Sequence, residues 1–135
     1  MSVELRRENG DEFVLSTSAW GFHLYLAAEA YGWEMPGTSA PADWSLDNGP
    51  WPGAYDWNAG QTVESADALA LAGALERHLA AADRDQIAKD LAREMQMAME
   101  QALGSKLPGE WLPGTDDEFV ASFIRFAKQG GFQIY

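Results

Sequence analysis

His23 and His78 are the only histidines and the chain has no cysteine, so general acid–base chemistry has two candidates of its commonest kind and thiolate chemistry has none. His23 precedes Leu24 beside an apolar stripe, and His78 sits between Arg77 and Leu79. Neither neighbourhood forms HExxH, HxH or a Ser/His/Asp order, so each reads as a partly buried or surface residue rather than a base or ligand. No serine stands in a GxSxG context, and the glycines form neither GxGxxG nor the P-loop pattern. Acyl-transfer and nucleotide chemistry lose support, and no catalytic residue, metal or cofactor is expected. Asp43, Asp47 and Asp56 offer the hard oxygen donors that Ca2+ takes, but their spacing is not that of an EF-hand, and solvated loop carboxylates are the expectation.

The chain instead concentrates aromatic side chains in DNGPWPGAYDWNAGQ, residues 47–61. Trp44, Trp51 and Trp57 fall in a segment without period, so spacing alone assigns them to no face. Trp and Tyr suit places with one apolar and one wet edge, which describes rings that seal a core and rings on an open platform alike. Packing onto the helices is the expectation. The alternative is an exposed platform of Trp51, Tyr55 and Trp57, flanked by Trp44, that binds sugar, peptide or protein. In it, Asp56, Asn58 and Gln61 supply polar contacts, because a carboxamide both donates and accepts. For Asn58, just ahead of a helix start, turn and capping duty is expected.

Charge narrows the partners. The net charge is −12, and between Arg7 and Arg77 there is no Lys or Arg against eleven carboxylates. Such a surface repels phosphate backbones and anionic lipid, which argues against nucleic acid and membranes and favours a basic protein face or a cation. MSVELRRENGDEF lacks the apolar run of a signal peptide and no stretch approaches a membrane span, so a cytoplasmic location is expected.

These residues must be held by a frame, and the sequence outlines one. At 135 residues with 47% apolar side chains, a single domain is expected over 1–135. Val3 and Leu5, then Phe13 and Leu15, alternate with polar residues around Asn9-Gly10, the strongest short hairpin signal. Ser16-Thr17-Ser18 can cap a helix whose stripe is Trp20, Leu24, Ala27, Ala28 and Tyr31, stopping at Gly32. Residues 38–61 read as a long ordered loop. A second helix starts near Ser65, with Ala68, Leu71, Ala72, Leu75, Leu79 and Ala82 on one face. A third follows Asp83, with Ile87, Leu91, Met95, Ala98 and Ala102 inward and Asp85/Lys89 paired outward; Gly104 and LPGEWLPG end it. Thr115 to Glu118 reads as a capping box for a fourth helix through Phe119, Phe123, Ile124 and Ala127. The tail FQIY alternates as a strand placed beside the hairpin. The expected fold is α+β, four main helices on a small antiparallel sheet built from the N-terminal hairpin and the C-terminal strand.

The helix ending in YGW before Pro36-Gly37-Thr38, the run YDWNAGQTVESADALALAGALE and the terminal FIRFAKQGGFQIY together resemble small acidic bacterial proteins that carry no assigned function. The resemblance spans most of the chain outside residues 84–112 and implies no catalytic residues. The leading expectation is a non-enzymatic acidic interaction protein, inhibitor or immunity-like, that binds a basic protein. The other is a small-ligand or carbohydrate binder, or simple enzyme, using the aromatic loop 44–61. Helices rich in Ala, Leu and Met can also meet a second copy of the chain.

Overall fold

A computed structural model describes residues 2–106 and 116–135. Four strands, β1 Ser2–Arg6, β2 Glu12–Ser16, β3 Gln61–Val63 and β4 Phe132–Ile134, form one antiparallel sheet in the order β2-β1-β4-β3. Four helices, α1 Thr17–Tyr31, α2 Ser65–Ala80, α3 Arg84–Leu103 and α4 Asp117–Ala127, complete an α+β fold.

The hairpin pairs Val3 with Leu15 and Leu5 with Phe13, so the alternating apolar residues share the face turned to the helices. Its turn is not the two-residue kind that Asn-Gly suggests. Only Gly10 takes positive φ, at +96°, while Gly10 N–H donates to Arg7 and Arg7 N–H donates to Asp11. That is the three-residue loop in which a glycine follows a turn and forms a bulge. The C-terminal strand lies beside the hairpin as expected, with Leu5 opposite Ile134. Its other edge pairs with β3, Val63 opposite Phe132, a strand that begins at Gln61, the last residue of the expected loop.

The core gathers Leu5, Trp20, Phe22, Leu71, Phe123 and Phe132, all essentially inaccessible. α1 is buried on more than one stripe, Phe22, His23 and Leu26 joining Trp20, Leu24 and Ala27, because the sheet, α2 and α3 all pack on it. Ser16 Oγ caps its start by accepting from Ala19 N–H, and Gly32 ends it at φ +71°. α2 stops at Ala80, where Ala81 turns extended, so Ala82 lies outside the helix and exposed. α3 buries only Ala88 and Ala92, with Ile87, Leu91 and Met95 against the core. Ala98 and Ala102, expected inward, are exposed because the helix outruns the core. Its ion pair joins Asp90 to Arg93 rather than Asp85 to Lys89. Thr115 and LPGEWLPG lie outside the described residues, and the described start of α4 is capped by Asp116, whose carboxylate accepts from Phe119 N–H at 2.8 Å. No helix among the described residues is long and apolar enough to cross a membrane.

Candidate functional site

The long loop is ordered by its own polar groups. Ser39 and Thr62 exchange backbone bonds of 2.8 and 3.0 Å at its neck. Within it, the Thr38 hydroxyl donates to the Ala54 carbonyl at 2.7 Å, and the Trp51 indole donates to the Thr38 carbonyl at 3.0 Å. Gly37 and Gly53 cross backbone to backbone, at φ +102° and +76°; a Cβ on Gly53 would stand 3.4 Å from the Gly37 Cα. Tyr55 ties the loop to the core: its carbonyl accepts from the Trp20 indole at 2.8 Å and its phenol oxygen from Gly37 N–H at 2.9 Å.

Gln61 is fully buried and spent on the backbone. Its Oε1 accepts from Ala59 N–H, and its Nε2 donates to the carbonyls of Ala54 and Trp57. It is therefore a clip rather than a contact open to ligand. Replacing it with leucine orphans the Ala59 N–H and the Trp57 carbonyl, leaves the Ala54 carbonyl only its Thr38 donor, and is expected to lower the unfolding free energy by about 2 kcal/mol. Denaturant unfolding measures this; a loss within about 0.5 kcal/mol, the scatter of surface substitutions, would mean that the clip holds nothing. Asn58 serves neither turn nor helix cap, since its Nδ2 donates to the Tyr135 carbonyl at 2.8 Å and anchors the chain end. The position before α2 falls to Glu64, which makes no side-chain capping bond.

Trp44, Trp51 and Trp57 do not pack onto the helical core, contrary to the expectation. They pack on one another, with centroids 4.8 Å apart for Trp44–Trp51, 5.2 Å for Trp51–Trp57 and 6.0 Å for Trp44–Trp57. Trp57 is 42% exposed. The ring that seals the core is Tyr55, against Trp33 at 5.4 Å.

Beside this cluster opens a cleft of about 890 Å³ between the loop, α1, the start of α2 and Met95 of α3. Of the seven residues singled out by sequence, Trp51, Tyr55 and Asp56 line it; Trp44, Trp57, Asn58 and Gln61 do not. Besides further residues of the loop, the lining draws on distant elements: Tyr25 from α1, Met35 from the segment after α1, and Glu64 and Asp67 from the start of α2. Asp67 was legible only as an acidic residue in a first turn. Among the described residues the lining holds three carboxylates, Asp56, Glu64 and Asp67, and no Lys, Arg or His. Burial first, and then the Glu94 and Glu29 carboxylates outside the lining, push the Tyr25 phenol up. Burial raises Tyr55 too, with Asp67 adding to it and the Gly37 bond opposing. Aromatic faces with carboxylates and no competing cation suit a cationic group on an apolar stem.

Both histidines lie elsewhere and are more buried than expected. His23, fully buried, donates from Nδ1 to the Ala19 carbonyl at 2.6 Å, among the rings of Phe22, Phe119 and Phe123. His78 Nδ1 shares a 2.8 Å bond with the Tyr31 hydroxyl. Neither meets a carboxylate in a hydrogen bond among the described residues. Asp43, Asp47 and Asp56 do not converge: no group of three His, Asp or Glu residues suited to a metal ion occurs among the described residues.

Comparison with protein-family models, with curated proteins and with solved structures finds no match to this chain. The class defined is therefore that of the fold, an α+β domain with a negatively lined cleft, and the resemblance to small acidic bacterial proteins leads to no family.

Proposed function

We propose that this is a non-enzymatic, cytoplasmic binding protein for a basic protein partner, and that the cleft receives the partner's lysine or arginine side chains. The supporting observation is the lining itself: Asp56, Glu64 and Asp67 beside Tyr25, Trp51 and Tyr55, with no basic residue among them. A cation stripped of water there gains both Coulomb attraction and the electron-rich ring faces. The surplus of carboxylates over the rest of residues 8–76 steers such a partner in from a distance.

Because Trp51 lies in the wall, its fluorescence reports occupancy. Titration with a short lysine–glycine peptide at low salt is expected to saturate, to weaken at least tenfold as salt is raised to physiological strength or above, and to fail in an Asp56→Asn, Asp67→Asn double variant. A glutamate–glycine peptide should leave the signal flat. Equal response to both peptides, or none to the basic one, removes the reading. A neutral sugar that responds where the basic peptide does not transfers the site to small-ligand binding.

A further inference from the structure

The geometry points to a more specific occupant: the C-terminal end of the partner's chain, with its terminal carboxylate at Arg77 and a basic side chain in the cleft. This rests on the cation-binding reading above and extends it along the molecule. A narrower groove of about 280 Å³ runs between the segment that follows α1, through Trp33, Glu34 and Pro36, and the face of α2 that carries Asp67, Ala70 and Arg77. Pro36 and Asp67 border both spaces, so cleft and groove adjoin across these two residues.

The dimensions suit a short extended peptide. Asp67 and Arg77 are ten residues apart on one helix, about 15 Å at 1.5 Å per residue. That is the reach of about four or five residues of extended chain.

Charge gives the channel a direction. Among the described residues Arg77 is the single Lys, Arg or His in either lining; Glu34 shares the groove with it, and the carboxylates of the cleft lie at and beyond Asp67, ten residues back along the helix. The Arg77 Nη2 donates to the Tyr31 carbonyl at 2.6 Å, which holds the exposed guanidinium in place, and among the described residues it joins no ion pair. Its remaining donors are of the type that takes a carboxylate in a fork. The groove's wall also holds the Trp33 indole, buried at 6% exposure, whose N–H has no acceptor among the described residues. Met35, in the lining of the cleft and next in sequence to Pro36, is the one non-glycine residue at positive φ, +49°, among the described residues, and is 42% exposed. Non-glycine residues in the left-handed region cluster at active sites and ligand clamps. An occupant negative at one end and positive about four residues earlier matches this arrangement, and a chain terminus supplies the negative group as a backbone carboxylate.

The test compares two forms of one peptide, acetyl-Lys-Gly-Gly-Leu with a free C-terminal carboxylate and the same peptide amidated, by tryptophan fluorescence or calorimetry. General attraction to a protein of charge −12 favours the amide, which carries one more net positive charge. The proposal requires the reverse: the free acid binding about tenfold tighter, with the preference abolished in Arg77→Gln and retained in Asp56→Asn at lower overall affinity. The Arg77 site is exposed, and an unchanged melting temperature verifies that the variant is folded. If both forms bind and the amide is equal or tighter, the terminus proposal falls while cation binding stands. If neither form binds, both fall.

Discussion

Arg7→Met is expected to lower the unfolding free energy by about 3 kcal/mol, because one guanidinium closes the end of α4. Its Nε donates to the Gly131 carbonyl at 3.1 Å, and its Nη2 donates to Gly130 at 2.8 Å and to Phe126. The group lies 4.1 Å from the Phe126 ring centroid, where cation and ring attract. Carbonyls beyond a helix end have no helical donor of their own, and the negative end of the helix dipole favours a cation there. Burial pulls the arginine pKa down and Asp11 pulls it back up, and the group keeps its charge at any ordinary pH. Methionine fills a similar volume and supplies none of these bonds. Arg7→Lys, with a point charge in place of a fork, should recover only part of the loss. Urea unfolding with tryptophan fluorescence measures both. A loss under about 1 kcal/mol in Arg7→Met would show that water replaces the guanidinium and that the hairpin does not depend on this clamp.

That clamp also marks what could and could not be read in advance. Val3, Leu5, Phe13 and Leu15 announce a hairpin because period two is local, and the structure pairs them as the alternation requires. The bonds from Arg7 join residues more than a hundred positions apart, and no local pattern carries them. β3 stayed hidden for the same reason. Three residues, Gln61 to Val63, become a strand because β4 lies beside them, and a buried glutamine at the first position breaks the alternation signal. In α3 the periodicity continues past the point where the core ends, so it places Ala98 and Ala102 on a face and says nothing of what that face meets.

The site divides along the same line. Composition drew attention to the aromatic loop, and Trp51, Tyr55 and Asp56 do border the cleft. Gln61 and Asn58 have the right chemistry for ligand contact, yet their amides hold the loop and the chain end. Glu64 and Asp67 lie just beyond the loop at the head of α2, and Tyr25 on α1; only tertiary packing sets them opposite Asp56. Side-chain type proposes candidates, and the accounting of buried polar groups decides which are free.

The same accounting makes His23 an acid-sensitive point. Its Nδ1 donates to Ala19, so the lone pair sits on Nε2, which is buried with no partner among the described residues, and a proton there would place a charge among aromatic rings. Burial accordingly holds its pKa below 6.5; the Ala19 bond raises it against that, His78 lowers it further and Asp116 raises it. His78 is lowered too, first by burial, with Asp117 and Asp85 opposing and Arg84 reinforcing. In the unfolded chain both imidazoles titrate near 6.5. The stability they permit is whole above that pH and is lost below it, as the unfolded state takes protons that the folded state refuses. Each histidine contributes a slope of up to about 1.4 kcal/mol per pH unit, until the folded pKa is reached. Relief of carboxylate repulsion works in the opposite sense in this chain of charge −12, which is why the comparison must be between variants. His23→Leu has a matching test: the Ala19 carbonyl keeps its helical partner, and an unsatisfied nitrogen disappears. At pH 8 its stability should lie within about 1 kcal/mol of the parent. From pH 6.5 downward it should fall less steeply by up to about 1.4 kcal/mol per unit. Parallel pH profiles for parent and variant would show that His23 takes up its proton without unfolding the protein, and the buried imidazole would then have to be reached by solvent through the aromatic cluster.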